Sequence, residues 1–327
     1  MQEAVATTKK HIKEQWDIDT LPRTGSGPWP TNYVSELDET PELDPVRANY
    51  YQSLVGILNW IVELGRVDII TETSTLASHM AMPREGHLDA ALHVFDYLDR
   101  KHNSRMVFDP TYPKIEQDMF ISYDWERFYG TVKEAIPIDA PRGLGKPVDI
   151  RLMVDADFAG DKVRRRSRTG FFIFINSAPI AWYSKRQATI ETSAFGAEFV
   201  AMKQGIEALR GLRYKLRMMG IPLSGPSYVY GDNKSVITNS TQPESTLNKK
   251  SNSVCYHFVR EAVAMGEALI THVRTHQNLG DLATKIIPGG IKRSRLVDKI
   301  LYDVESISAV DDDDDDDAIP PQQVVKG

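Results

Sequence analysis

Acidic side chains recur at positions where a charge is hard to hide. Asp155 and Asp157 lie two apart at the end of VDIRLMVDAD. Glu198 falls inside the apolar pattern of GAEFVAM. Asp232 closes YVYGD, and Asp281 follows the last apolar run in NLGDLATK. A carboxylate buried without a partner is costly. Acids at the ends of apolar elements, far apart in sequence, therefore point to a carboxylate cluster for a divalent cation. Magnesium prefers carboxylate and water oxygens, whereas zinc sites are rich in cysteine. Cys255 is the only cysteine of the chain, so an oxygen-liganded ion fits better. The competing reading is that these acids pair with nearby arginines.

The elements that must position these acids are legible from periodicity. Ile150, Leu152 and Val154 alternate with polar or larger residues, which predicts a strand ending at the first two acids. Phe171–Ile175 and Ile180–Tyr183 predict two more strands, joined by tight turns. Thr192 or Ser193 is placed to cap a long helix. Its apolar stripe runs through Phe195, Phe199, Met202, Ile206, Leu209, Leu212 and Leu216, and Gly220 and Pro222 end it. Glu198 belongs to that helix. Glu191, in the loop before it, is a weaker candidate. A strand at Tyr228–Tyr230, a short helix from Asn233, a helix around Val254–Met265, a strand at Ala268–Val273 and a closing helix at Asn278–Lys285 complete the block. Three hairpin-linked strands followed by two single ones predict an α/β fold with a five-stranded mixed sheet and helices packed on it.

The remainder of the 327 residues divides by composition. Residues 1–48 are polar, with Gly- and Pro-rich stretches such as LPRTGSGPWP, and are expected to be irregular linker. Residues 49–102 carry helical spacing and predict a small helical module with no catalytic pattern; His87 and His93, six apart, do not share a face. Residues 103–147 predict a connector, 148–288 the α/β domain, and 289–327 an extension whose tail, with the acidic run Asp311–Asp317, is disordered by composition. Net charge follows the same division: −8 over residues 1–147, +7 over 148–288 and −5 over 289–327. A basic surface around buried acids suits a phosphate polyanion. No apolar run is long enough to span a bilayer, and the polar start lacks the apolar centre of a signal peptide. Cytoplasmic or nuclear placement without secretion or a membrane partner is the expectation.

Taken in order, DADFAGD, RSRTGFFIF, PIAWYSKRQ, ETSAFGAEFVAM, YGDNKSV and NLGDLATK resemble the ribonuclease H domain of copia-type retrotransposon Pol polyproteins. The upstream stretch YYQSLVGILNWIVELGRVDIITETSTLASHMAMPREGHLDAALHVFDYLD resembles the segment that follows the polymerase palm in the same polyproteins. Together they cover roughly residues 45–287. The resemblance implies the ribonuclease H-like fold and hydrolysis of the RNA strand of RNA–DNA hybrids. It implies Asp155, Glu198, Asp232 and Asp281 as catalytic metal ligands for two Mg²⁺ ions, with Mn²⁺ as a substitute, and Asp157 as an auxiliary acid. Gly196 and Gly280 depart from the pattern, standing where acid or alanine is common. The paired aspartates of a polymerase are absent outside the acidic tail. The chain therefore resembles the C-terminal part of such a polyprotein, whose polymerase half would be a partner.

Arg164, Arg165, Arg166 and Arg168 form a basic turn expected to touch hybrid phosphates, with Lys249 and Lys250 as a second patch. His276, in the loop before the closing helix, is a candidate aid to proton transfer or product release. The α/β block is expected to carry the chemistry without the helical module. Two function classes remain open at this level: an active hybrid nuclease, and a catalytically idle nucleic-acid-binding remnant of a retroelement. Cleavage of labelled hybrid distinguishes them.

Overall fold

The computed structural model describes residues 1–247 and 250–303. Lys249 and the acidic tail lie outside the described residues. Four helices form the first layer: α1 (Gln2–Trp16), α2 (Pro45–Glu63), α3 (Ile70–Ala77) and α4 (Glu85–Arg100). Helix α1 corrects the expectation of irregular chain at the start. Val5, Thr8 and Ile12 recur at three- and four-residue spacing and are buried, because α1 lies on α4. The stripe is short and half polar, so it reads as helix only once its partner is in place. Helix α2 starts where the signals say: Asp44 accepts from the backbone N–H groups of Val46 and Arg47, and Pro45 opens the first turn. His87 and His93 are buried in α4.

After α4 come the short strand β1 (Ser104–Met106), the single turn α5 (Glu126–Tyr129) and a long irregular connector. The principal sheet then forms from β2 (Ile150–Asp157), β3 (Arg168–Ile175) and β4 (Ala178–Arg186). Helix α6 (Ala194–Met218) follows, capped by Ser193, whose hydroxyl accepts from Gly196 N–H. Strand β5 (Ser227–Gly231), helices α7 (Lys234–Thr241) and α8 (Ser253–Ala264), strand β6 (Ala268–His272) and helix α9 (Gly280–Thr284) complete it. The sheet order is β4-β3-β2-β5-β6. β2–β3 and β3–β4 are antiparallel, while β5 runs parallel to β2 and β6 parallel to β5. This is the expected mixed sheet, with its central strand ending in the first acids.

Each face of the sheet has its own core. On one, Leu152, Val154, Phe171 and Ile173 pack with Phe199, Met202 and Ile206 of α6 and Val259 of α8. Gly205 lets α6 settle closely, since a Cβ there would lie 3.0 Å from Leu152 Cδ2. On the other, Phe172 and Phe174 join Leu279, Leu282 and Ile287 in one cluster with Leu54, Leu58, Leu76 and Phe95 of the helical layer. The module thus covers a sheet face. Phe172, Phe174 and Leu282 of the α/β block therefore share their core with the helical layer.

The chain after residue 288 also packs. Helix α10 (Ile291–Val297) is followed by β7 (Leu301–Asp303), which pairs antiparallel with β1. Arg293 of α10 is buried and forms an ion pair of 3.0 Å with Glu72. Arg66 and Asp68 pair alongside at 2.8 Å, and Tyr97 Oη donates to Asp68 at 2.9 Å. Residues 291–303 are therefore bound to the helical layer by buried charges, which spacing in the sequence does not reveal.

Candidate active site

Strand β2 delivers Asp155 into a closed space. Its residue is 1% exposed, and it stands opposite Gly170 of β3. Helix α9 lies across both strands, which is possible because two glycines leave room. A Cβ on Gly280 would sit 2.7 Å from Asp155 Cβ, and one on Gly170 would sit 2.6 Å from Thr284 Cγ2. Asn278 locks the approach: its side-chain amide donates to Val154 O at 2.9 Å, and its side-chain oxygen accepts from Gly280 N–H at 3.1 Å. Gly280 is thus required by the contact with β2, whatever it costs the helix.

Glu198 comes from the second turn of α6, and Asp232 from the bend after β5. His272 of β6 holds that bend by donating from Nε2 to Asp232 O at 3.1 Å. One carboxylate oxygen from each of Asp155, Glu198 and Asp232 lies within 4.8 Å of the other two. Asp155 Oδ1 is buried with no hydrogen-bond partner, whereas Oδ2 accepts from Thr284 Oγ1. Burial pushes the Asp155 carboxyl up to about 6; Asp281 and Asp232 add to this, while Lys285 and Thr284 oppose it. Burial, reinforced by Asp155 and Asp232, holds Glu198 well above the usual carboxylate range. Three oxygen donors, an orphaned buried oxygen and mutual repulsion fit a hard divalent cation. No thiol or imidazole belongs to the group.

Asp281, the expected fourth ligand, lies beside the other acids, and its charge adds to the upward shift of Asp155 and Glu198. It stands outside the group of three, is fully buried, and is held by Lys285 Nζ at 2.5 Å and Lys292 Nζ at 3.6 Å. Lys285 also reaches Asp155 Oδ2 at 3.1 Å. The two aspartates keep the Lys285 ammonium above its ordinary range against the effect of burial. Sequence reasoning gives neither Thr284 nor Lys285 a role, although the four-residue spacing of Asp281 and Lys285 in a helical stretch carries the signal.

The other expected residues are scattered around this centre. Asp157 is half-buried outside the group of three, and lines a cavity of about 620 Å³ with Glu36, Arg166, Arg168 and Arg186. Burial raises its carboxyl, with Lys285 and Arg168 opposing. Glu191 accepts from Asn252 Nδ2 at 2.9 Å. A Cβ on Gly196 would meet Glu191 Oε2 at 2.6 Å, so a larger residue there would displace Glu191. His276 is exposed in a 3-10 turn and makes no hydrogen bond to Asp281.

The basic turn is pinned by Asp161, which accepts from the N–H groups of Val163 and Arg164 and pairs with Arg186 at 2.7 Å. Arg164 and Arg165 are exposed and Arg166 is half-buried; Lys250 is exposed just before α8. Arg168 is the correction. It is 8% exposed at the start of β3, and its guanidinium donates to the hydroxyls of Ser74, Thr75 and Ser184. Burial pulls it down to about 10. It joins sheet to helical layer instead of facing solvent.

A mixed sheet of this order, with three carboxylates gathered at the end of its central strand, defines a ribonuclease H-like domain. The chain is related to the copia-type retrotransposon Pol polyproteins. It is 27% identical over 256 residues to the retrovirus-related Pol polyprotein from transposon RE1 of Arabidopsis thaliana, covering 78% of this chain and 15% of that protein. It is 32% identical over 239 residues to the corresponding polyprotein from transposon TNT 1-94 of Nicotiana tabacum, covering 73% of this chain and 15% of that one. The chain thus spans about 15% of the length of these curated relatives. No protein-family model matches it. Among solved structures, it is similar to LC11-RNase H1 in complex with RNA/DNA hybrid, at 13% identity and a TM-score of 0.34, over 42% of this chain and 94% of that one. It is also similar to RNase H1 from Halobacterium salinarum, at 17% identity and a TM-score of 0.32, over 42% and 95%.

Proposed function

We propose that this chain hydrolyses the RNA strand of RNA–DNA hybrids, with a divalent cation held by Asp155, Glu198 and Asp232. The convergence of those three carboxylates, from a strand, a helix and a bend, is the observation that carries the reading. Magnesium suits the all-oxygen donor set, and manganese would substitute. Such an ion supplies Lewis-acid activation of water and neutralises charge on the scissile phosphate. The protein's part is placement. β2 and α9 bury Asp155, Thr284 fixes its Oδ2, and α6 brings Glu198 from the other face. The exposed Arg164 and Arg165 contact hybrid phosphates, and Lys250 adds a further contact.

The products would carry 3′-hydroxyl and 5′-phosphate ends. The polymerase half of a related polyprotein is the proposed partner that presents the hybrid. The test is incubation of the purified chain with end-labelled hybrid, single-stranded RNA and duplex RNA, each with Mg²⁺ or EDTA. Metal-dependent cleavage of the hybrid alone, lost in Glu198→Gln, is expected. Hybrid binding without cleavage in Mg²⁺ would show an idle binding remnant instead.

A further inference from the structure

Lys285 occupies a place that a cation would otherwise fill. Its Nζ lies 3.1 Å from Asp155 Oδ2 and 2.5 Å from Asp281 Oδ1. Both carboxylates are buried, at 1% and 0% exposure. The lysine is placed there by local geometry. Its backbone N–H closes the last turn of α9 on Asp281 O at 3.0 Å, so its side chain folds back along the same face. Thr284, the preceding residue, donates to the same Asp155 Oδ2. The two oxygens of Asp155 are thereby divided: Oδ2 is engaged by Thr284 and Lys285, and Oδ1 has no partner. Only Oδ1 remains for the ion shared with Glu198 and Asp232.

We propose that the Lys285 ammonium serves as a built-in second cation, so that this chain takes up one divalent ion rather than two. The proposal rests on the metal reading above. Magnesium binds oxygens at about 2.0–2.1 Å, and could not share Asp155 Oδ2 and Asp281 Oδ1 with an ammonium at hydrogen-bond distance. Like charges that close repel strongly in a buried site. On this proposal one ion and the Lys285 ammonium stand where two ions were expected. Lys285 acts as a positioning residue, since it touches the ligand carboxylates and not the reacting atoms.

The test is the stoichiometry of Mn²⁺ binding to the full chain, measured by calorimetry and by the electron paramagnetic resonance signal of free Mn²⁺. One ion per chain is expected for the native protein and for Lys285→Arg. Lys285→Met, which leaves the Asp155–Asp281 pair without its cation, is expected to bind two. Two ions in the native protein overturn the proposal, as does one ion in a folded Lys285→Met. If Lys285→Met does not fold, the native protein and Lys285→Arg decide: one ion in both supports the proposal, and two in either refutes it. No binding at all sinks the metal reading itself, a result distinct from binding two.

Discussion

Replacing Asp155 by Asn should stabilise the metal-free protein while abolishing its response to metal. The Asp155 carboxyl lies at about 6 in the folded chain, above its ordinary value of 3.8. A group whose folded value is raised contributes stability only while it is protonated. That contribution is complete below about pH 4 and is lost as pH rises through about 6. A difference of about two pH units corresponds to about 3 kcal/mol of native-state penalty at pH 8. That penalty already includes the attraction of Lys285, because the lysine is among the groups that set the value. Asparagine keeps the shape and an acceptor for Thr284, and removes the charge. In a protein of this size 1 kcal/mol moves the melting point by about 1.5 °C. The variant should therefore melt roughly 4–5 °C above the native protein at pH 8 in EDTA, with the gap closing near pH 4. Mg²⁺ or Mn²⁺ should raise the melting point of the native protein and leave the variant unmoved. Thermal melts across pH 4–8, with EDTA or metal, provide the measurement. A variant that melts below the native protein at pH 8 in EDTA, or that gains as much from metal, would refute the reasoning.

Gly280→Ala should cost about 1–3 kcal/mol by forcing α9 away from Asp155, and should cut hybrid cleavage with it; Gly211→Ala in α6, where a Cβ meets nothing within 4 Å, should instead gain about 0.5–1 kcal/mol. Denaturant melts of the two variants with opposite signs are the expected result, and matched destabilisation would contradict the packing described for α9. Arg293→Met leaves Glu72 buried without its cation, and should cost about 3–5 kcal/mol in urea unfolding; a change under 1 kcal/mol would mean that this pair holds nothing together. Arg164, Arg165 and Arg166 replaced together by Ala should lower the slope of log hybrid affinity against log salt by roughly one for each phosphate that is no longer neutralised. An unchanged slope would leave those side chains as solvated surface.

Much of the active site is written locally. The alternation of Ile150, Leu152 and Val154, the Ser193 cap and stripe of α6, and the short strand before Asp232 each follow from neighbours a few residues away, so the elements and the acids on them can be read in order. What depends on packing cannot. Helix α1 has too weak a stripe to declare itself until α4 covers it. Arg168 belongs by sequence to a basic turn, but the first residue of β3 lands against α3, where hydroxyls and burial replace solvent. Asp281 looks like its fellow acids in sequence; its four-residue spacing to Lys285 allows that pair, but only the fold brings the same ammonium to Asp155. Thr284 meets Asp155 across 129 residues, a distance that no periodicity spans. Residue order alone settles which side chains can ionise and, for Asp155, Glu198 and Asp232, which elements bear them. Which charges meet is settled only on folding, because pairing in a buried site depends on ångström-scale separations that arise when distant segments close on one another.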